Sequence, residues 1–278
     1  MSRGEIPDGA PGAEATPLRF RIDVERTAWI VFWSCLGIEV LIVLLDALIS
    51  YGRMVEANPV RRLFNITRED SIGTFFSATQ TLVVGVVALL ISIVQRRAGA
   101  SRWQVIGWTV LAVFFIYLAA DDGAKIHERL GSTFKHSQQN EDGNFRSDTV
   151  GGKLLTKWPS YSWQIVFMPV FGAMGIFILV FLWREFPRDW DRLWVLTALA
   201  CLAAAVGLDF VEGVDGAYEP IMKWLKESEH TIGHFSKSIE EFTEMFGFTL
   251  FLVVFIRRLG RGNRTITMQM VTDPPDSE

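Results

Sequence analysis

The chain has 278 residues, half of them hydrophobic, with ten tryptophans, a mean hydropathy of +0.25 and a formal charge of −4. A soluble domain of this length seldom looks like that, because a single core cannot hide so much apolar surface. The sequence has no basic, aromatic-interleaved patch for nucleic acid, no phosphate-binding glycine loop, no G-x-S-x-G elbow and no H-E-x-x-H pair.

Residues 1–26 read as a disordered cytoplasmic tail. Met1–Gly12 is rich in proline, glycine and acid and does not read as a cleavable signal peptide. Apolar runs then follow at Ala28–Ser50, Ile72–Val94, Trp103–Ala120, Ser162–Trp183, Leu193–Val211 and Phe242–Ile256. Each is a candidate membrane span, with few or no charges through most of its course. The third and sixth are short for a bilayer of roughly 30 Å and must continue through polar flanks, DDGAKIHERL after the third and KSIEE before the sixth. Trp29, Trp103, Trp163, Trp183 and Trp194 mark span ends. Cys35 and Cys201 both fall inside spans, so no external disulfide framework is expected.

The expected fold is therefore all-α: a polytopic six-helix bundle over 27–258 with a cytoplasmic tail over 259–278. Arginines sort the loops. Arg19, Arg21 and Arg26 precede the first span, Arg96, Arg97 and Arg102 follow the second, and Arg184, Arg188 and Arg192 follow the fourth. Arg257, Arg258, Arg261 and Arg264 follow the last. That bias predicts both termini inside, with the polar loop 131–160 outside. The expected location is a bacterial inner membrane, with lipids as the immediate partners.

In that topology the acidic residues gather at one leaflet. Asp121, Asp122, His127 and Glu128 leave the third span there; Asp209, Glu212 and Asp215 leave the fifth. His230, His234, Glu240, Glu241 and Glu244 guard the entry to the sixth. On a helix of 3.6 residues per turn, His230, His234, Glu241 and Glu244 fall within about 80° of one another. A carboxylate at the membrane centre costs roughly 2.5–3.5 kcal/mol, so such crowding calls for protons, Lys125, Lys237 or a bound cation. Carboxylates with histidine facing into a bundle suit a divalent metal: iron, manganese, calcium or zinc. The expected ligands are His127, Glu128, Glu240, Glu241, Glu244 and His234, with Asp121 and Glu212 as catalytic groups. Glu39 lies mid-helix, and Gln80, Ser77 and Thr79 are its expected polar partners.

Four strings occur together: FNITREDSIGTFFSATQ (Phe64–Gln80), LAADDGAKIHERLG (Leu118–Gly131), GLDFVEG (Gly207–Gly213) and EEFTEMFG (Glu240–Gly247). In these the chain resembles a group of uncharacterised bacterial multi-pass membrane proteins, and the resemblance reaches from the second span to the sixth. It implies weight on Glu69, Ser77, Asp121, Asp122, His127, Glu128, Glu212, Glu240, Glu241 and Glu244, and implies no activity. The His230–His234 spacing is also similar to that of the alkaline ceramidase and adiponectin-receptor superfamily. Those seven-helix proteins bind zinc through three histidines; here only His127 could be the third.

The leading expectation is a metal-dependent membrane enzyme acting on a lipid or other amphiphile. The alternatives are a cation- or proton-coupled transporter or channel, and a non-enzymatic membrane sensor or scaffold.

Overall fold

The structure is a computed structural model that describes residues 19–68, 70–260 and 265–269. Ten α-helices occur among them: α1 (Val24–Leu45), α2 (Asn58–Phe64), α3 (Ile72–Arg97), α4 (Arg102–Ala124), α5 (Ile126–Ser137), α6 (Val150–Lys157), α7 (Ser162–Glu185), α8 (Asp189–Glu212), α9 (Glu219–Leu225) and α10 (Glu229–Leu259). α1 runs into a π-helical segment, Asp46–Tyr51. Two strands, β1 (Arg19–Asp23) and β2 (Thr265–Gln269), pair antiparallel with Arg19 opposite Gln269. Of the expected tails, 1–18, 261–264 and 270–278 lie outside the described residues, as does Glu69.

Among the described residues, five helices are long and apolar enough to cross a membrane: α1 with its π segment, α3, α4, α7 and α8. Their surfaces explain why. Trp33, Leu41 and Leu44 on α1, Ile106 and Val113 on α4, and Val170 and Ile176 on α7 are exposed large hydrophobics, an unfavourable surface in water but a good one in lipid. The sixth apolar run sits within α10, which is 31 residues long and carries more charge. The loop 131–160 is partly helical, holding the end of α5 and all of α6.

Local chemistry sets the boundaries. Asp23, Ser71, Ser101 and Ser228 each cap the helix that follows by accepting a backbone N–H. Ser101 and Gln104 form a reciprocal capping box. Lys125 takes a left-handed conformation at φ 53°, which breaks α4 from α5 and turns the chain.

α10 is the central helix, packed upon by α1, α3 and α8. Its residues Phe251, Val253, Val254 and Phe255 are fully buried among Trp108, Phe115, Ile178 and Leu182. α3 and α4 form the closest helix pair. Gly85 permits it: a Cβ there would stand 2.8 Å from Ile116 Cγ1 and 3.0 Å from the Ile116 backbone nitrogen. α7 is held mainly by α5 and only lightly by α8 and α4. That loose fit leaves room between α4, α7, α8 and α10 at the end of the bundle opposite the β1–β2 ribbon.

Candidate functional site

The room is a cavity of about 460 Å³. Its depth is apolar, formed by Phe114, Leu118, Phe171, Leu199, Val206 and Phe248. Gly172 and Gly175 of α7 also line it, with nothing within 4 Å of where a Cβ would stand. The mouth is acidic. Asp121 and Asp122 come from the end of α4, Glu128 from α5, Asp209 from α8, and Glu240, Glu241 and Glu244 from α10. Against these seven carboxylates stand Lys125, Lys237 and His127.

The corner between α4 and α5 is fixed first. Asp121, buried, accepts the His127 backbone N–H at 2.8 Å through Oδ1 and meets His127 Nδ1 at 2.6 Å through Oδ2. The imidazole is packed edge-on to Trp163 at 4.6 Å between ring centroids. α5 can approach α7 this closely because Gly131 has no side chain; a Cβ would strike the backbone of Trp163. One residue beyond Trp163, Gln164 donates to Asp209 Oδ2 at 2.9 Å and accepts from Trp158 Nε1 at 3.2 Å.

Lys237 points into the acidic cluster from one turn before Glu240. Its Nζ lies 2.6 Å from Glu240 and 3.7 Å from Glu241. One lysine cannot satisfy this many acceptors. Glu240 Oε2 and Asp122 Oδ2 are buried with no hydrogen-bond partner, and Glu240 as a whole is only 5% exposed. Glu244 is half-buried and feels Glu241, Asp122 and Glu240 as like charges. Unsatisfied buried carboxylate oxygens are costly, and the arrangement favours protons or a positively charged guest.

The expected metal centre is corrected by this geometry. Among the described residues, no three His, Cys, Asp or Glu side chains gather closely enough to hold a metal ion. The reading of His127, Glu128, Glu240, Glu241, Glu244 and His234 as ligands of iron, manganese, calcium or zinc is therefore overturned. So is the metal-dependent enzyme built on it. Sharing a helical face was the misleading signal. His234 and Glu241 are seven residues apart, about 10 Å along the axis, so a common angle does not bring them together. The side chains also have other partners. Glu128 is exposed and lies 3.6 Å from Lys125. His127 is taken by Asp121, while Glu240 and Glu241 hold Lys237.

His234 belongs to a different wall. Its Nε2 meets Asp46 Oδ2 at 2.9 Å, and Asp46 also accepts from Ser238 Oγ at 3.3 Å and the Ile66 amide at 3.3 Å. Tyr51 stacks on His234 at 4.9 Å. This buried pair ties the π segment to α10. His230 is exposed on the same side, so the likeness to three-histidine zinc hydrolases finds no meeting of His230, His234 and His127. Glu212 accepts weakly from the Tyr161 hydroxyl at 3.5 Å and lies outside the cavity lining.

Two groups of residues were not anticipated. Gln164 and Trp158, which steady Asp209, carry no sequence signal beyond their aromatic and polar types. Thr249 joins Gln80 in bonding Glu39, and Thr79 takes no part.

No curated protein and no solved structure matches the chain. A family model, the domain of unknown function DUF8692, matches residues 24–259. Those limits coincide with the first residue of α1 and the last of α10, and so take in every wall of the cavity. The chain belongs to the DUF8692 family.

Proposed function

We propose that the protein is a multi-pass membrane protein whose acidic cavity binds an organic cation in exchange for protons, as a cation- and proton-coupled transporter does. The observation that carries this is Glu240: a buried carboxylate with one oxygen unpartnered, in a cavity whose mouth is acidic and whose depth is apolar. A guest that suits both halves is an amphiphile, with an amine or quaternary ammonium at the carboxylates and a hydrocarbon tail beneath. Asp121 positions His127 at the rim, and Lys237 keeps Glu240 and Glu241 occupied until the guest arrives.

The topology is part of the proposal. α10 makes the sixth crossing, with its charged first half lining the cavity. Pairing of β1 with β2 supports this, because two ends joined in one ribbon share a side and require an even number of crossings. The arginines near both ends support placing that side in the cytoplasm, with the cavity at the outer leaflet.

A second reading, a sensor that binds the cation without passing it, is favoured by the apolar plug beneath the cavity. Leu250–Phe255 of α10 is buried throughout and packs against Trp108 and Phe115. Transport requires that plug to open.

The test uses a fluorescent alkylammonium, with the alcohol and the alkyl sulfate of the same chain length for comparison. The ammonium should bind best, weaken as pH falls because protons compete, and lose about tenfold, ~1.4 kcal/mol, in Glu240→Gln. Equal binding of the alcohol would sink the proposal. Proteoliposomes carrying an internal pH dye then separate the two readings: a proton flux on adding the cation means transport, and binding without flux means sensing.

A further inference from the structure

A second carboxyl, outside the cavity lining, sits deeper in the bundle. Glu39 of α1 is completely buried. Its Oε1 accepts from Gln80 Nε2 of α3 at 3.0 Å and from the Thr249 hydroxyl of α10. Its Oε2 has no partner, and neither has Gln80 Oε1. Cys35, one turn earlier on α1, also lies against Gln80 and Thr249, and is at most a weak donor. No charged side chain among the described residues bonds to Glu39. The next carboxylate along α10, Glu244, precedes Thr249 by five residues, about 7.5 Å of helix.

The two bare atoms are complementary in one circumstance only. A carboxylic acid and a carboxamide can join through two parallel hydrogen bonds, amide N–H to acid carbonyl and acid O–H to amide carbonyl. The first bond is present. The second needs a hydrogen on Glu39 Oε2, and Gln80 Oε1 is the unfilled acceptor on the same carboxamide. With that hydrogen absent, two acceptors stay bare in the membrane core and a charge stays there uncompensated. We infer that Glu39 is held as a neutral carboxylic acid paired with Gln80, making this pair a proton-binding site within the bundle, separate from the acidic cavity. The inference stands whatever the cavity binds.

Infrared difference spectra of the detergent-purified full chain, wild type minus Glu39→Gln, decide it. The substituted amide presents an N–H where the acid O–H stood, so the variant keeps both arms of the pair and a place in the fold. The expected result is loss of one protonated-acid carbonyl band, one that shifts in D2O and persists from mildly acidic to mildly alkaline buffer. Loss of carboxylate stretching bands in its place overturns the inference. Gln80→Leu supplies a second reading if the first variant fails to fold. Removing the acceptor should shift the same acid band to higher frequency, and an unmoved band overturns the pairing with Gln80.

Discussion

The two ends of α10 treat buried carboxylates in opposite ways. At the ribbon end, Glu185 receives Arg258 at 2.7 Å, Gln104 at 2.9 Å and Trp108 Nε1 at 3.2 Å. Nearby, Arg257 lies over the rings of Trp29 and Trp194 and pairs with Glu25 at 2.9 Å. At the cavity end, carboxylates outnumber their donors and some oxygens have no partner. A carboxylate ringed by donors is a fastening, and its removal should damage the fold. On the proposed function, carboxylates that lack donors beside an open volume serve to bind a guest, and neutralising one should spare the fold.

That contrast can be broken by mutation. The largest effect is expected at the fastening: Arg258→Met takes the Arg258 guanidinium from buried Glu185 and should cost about 3–5 kcal/mol, read as lost yield and a lowered melting temperature in detergent. Next comes Gly85→Val, where a side chain must force α3 from α4; a loss of roughly 1–3 kcal/mol is expected in the same assay. Asp46→Asn, which weakens the His234 pair, should cost about 1–3 kcal/mol and leave cation binding unchanged. Glu240→Gln should keep or raise the melting temperature while it lowers affinity for the alkylammonium. If it melts like Arg258→Met, the cavity end is a fastening too and the contrast fails.

The smallest effect belongs to Asp70, exposed just before α3. Arg68 and Arg62 bond to its carboxylate and hold it below the ordinary range, at about 2. The sign follows. A depressed carboxylate stabilises the fold above its unfolded value near 3.9 and loses that contribution as pH falls toward 2. Solvent screens this pair, so Asp70→Asn should scarcely move the melting temperature at neutral pH. Titration of the Asp70 carboxyl carbon by NMR checks the direction.

The apolar runs could be read from the sequence because lipid imposes length and composition on a spanning helix, and the clustering of Asp121, Asp122, Glu240, Glu241 and Glu244 followed from it. What the sequence left out was distance along the axis. The helical wheel joined His234 to Glu241, whereas the rise of the helix carries His234 to Asp46 on another wall. Asp46 gave no hint of this, since its orientation depends on the π segment that α1 becomes. Lys237 was legible as a counter-charge but not as the partner of two glutamates. Gln80 was one of three polar residues, with Ser77 and Thr79, foreseen beside Glu39, and it is the one that bonds it. Thr249, 210 residues from Glu39, could not be placed until α1 and α10 were seen to touch.

That contact fixes an order of assembly. α1 leaves the ribosome well before α10, on which it chiefly packs, and its contact with α3 is lighter despite the Glu39–Gln80 bond. At roughly 5–20 residues per second, Glu39 waits on the order of 10–40 s before Thr249 is synthesised. Through that interval the first helix has to reside in the bilayer with an acid at its centre and its final neighbour still missing. A neutral acid tolerates this delay far better than a carboxylate. The same hydrogen that completes the pair with Gln80 would therefore let the nascent α1 wait in the bilayer until α10 arrives.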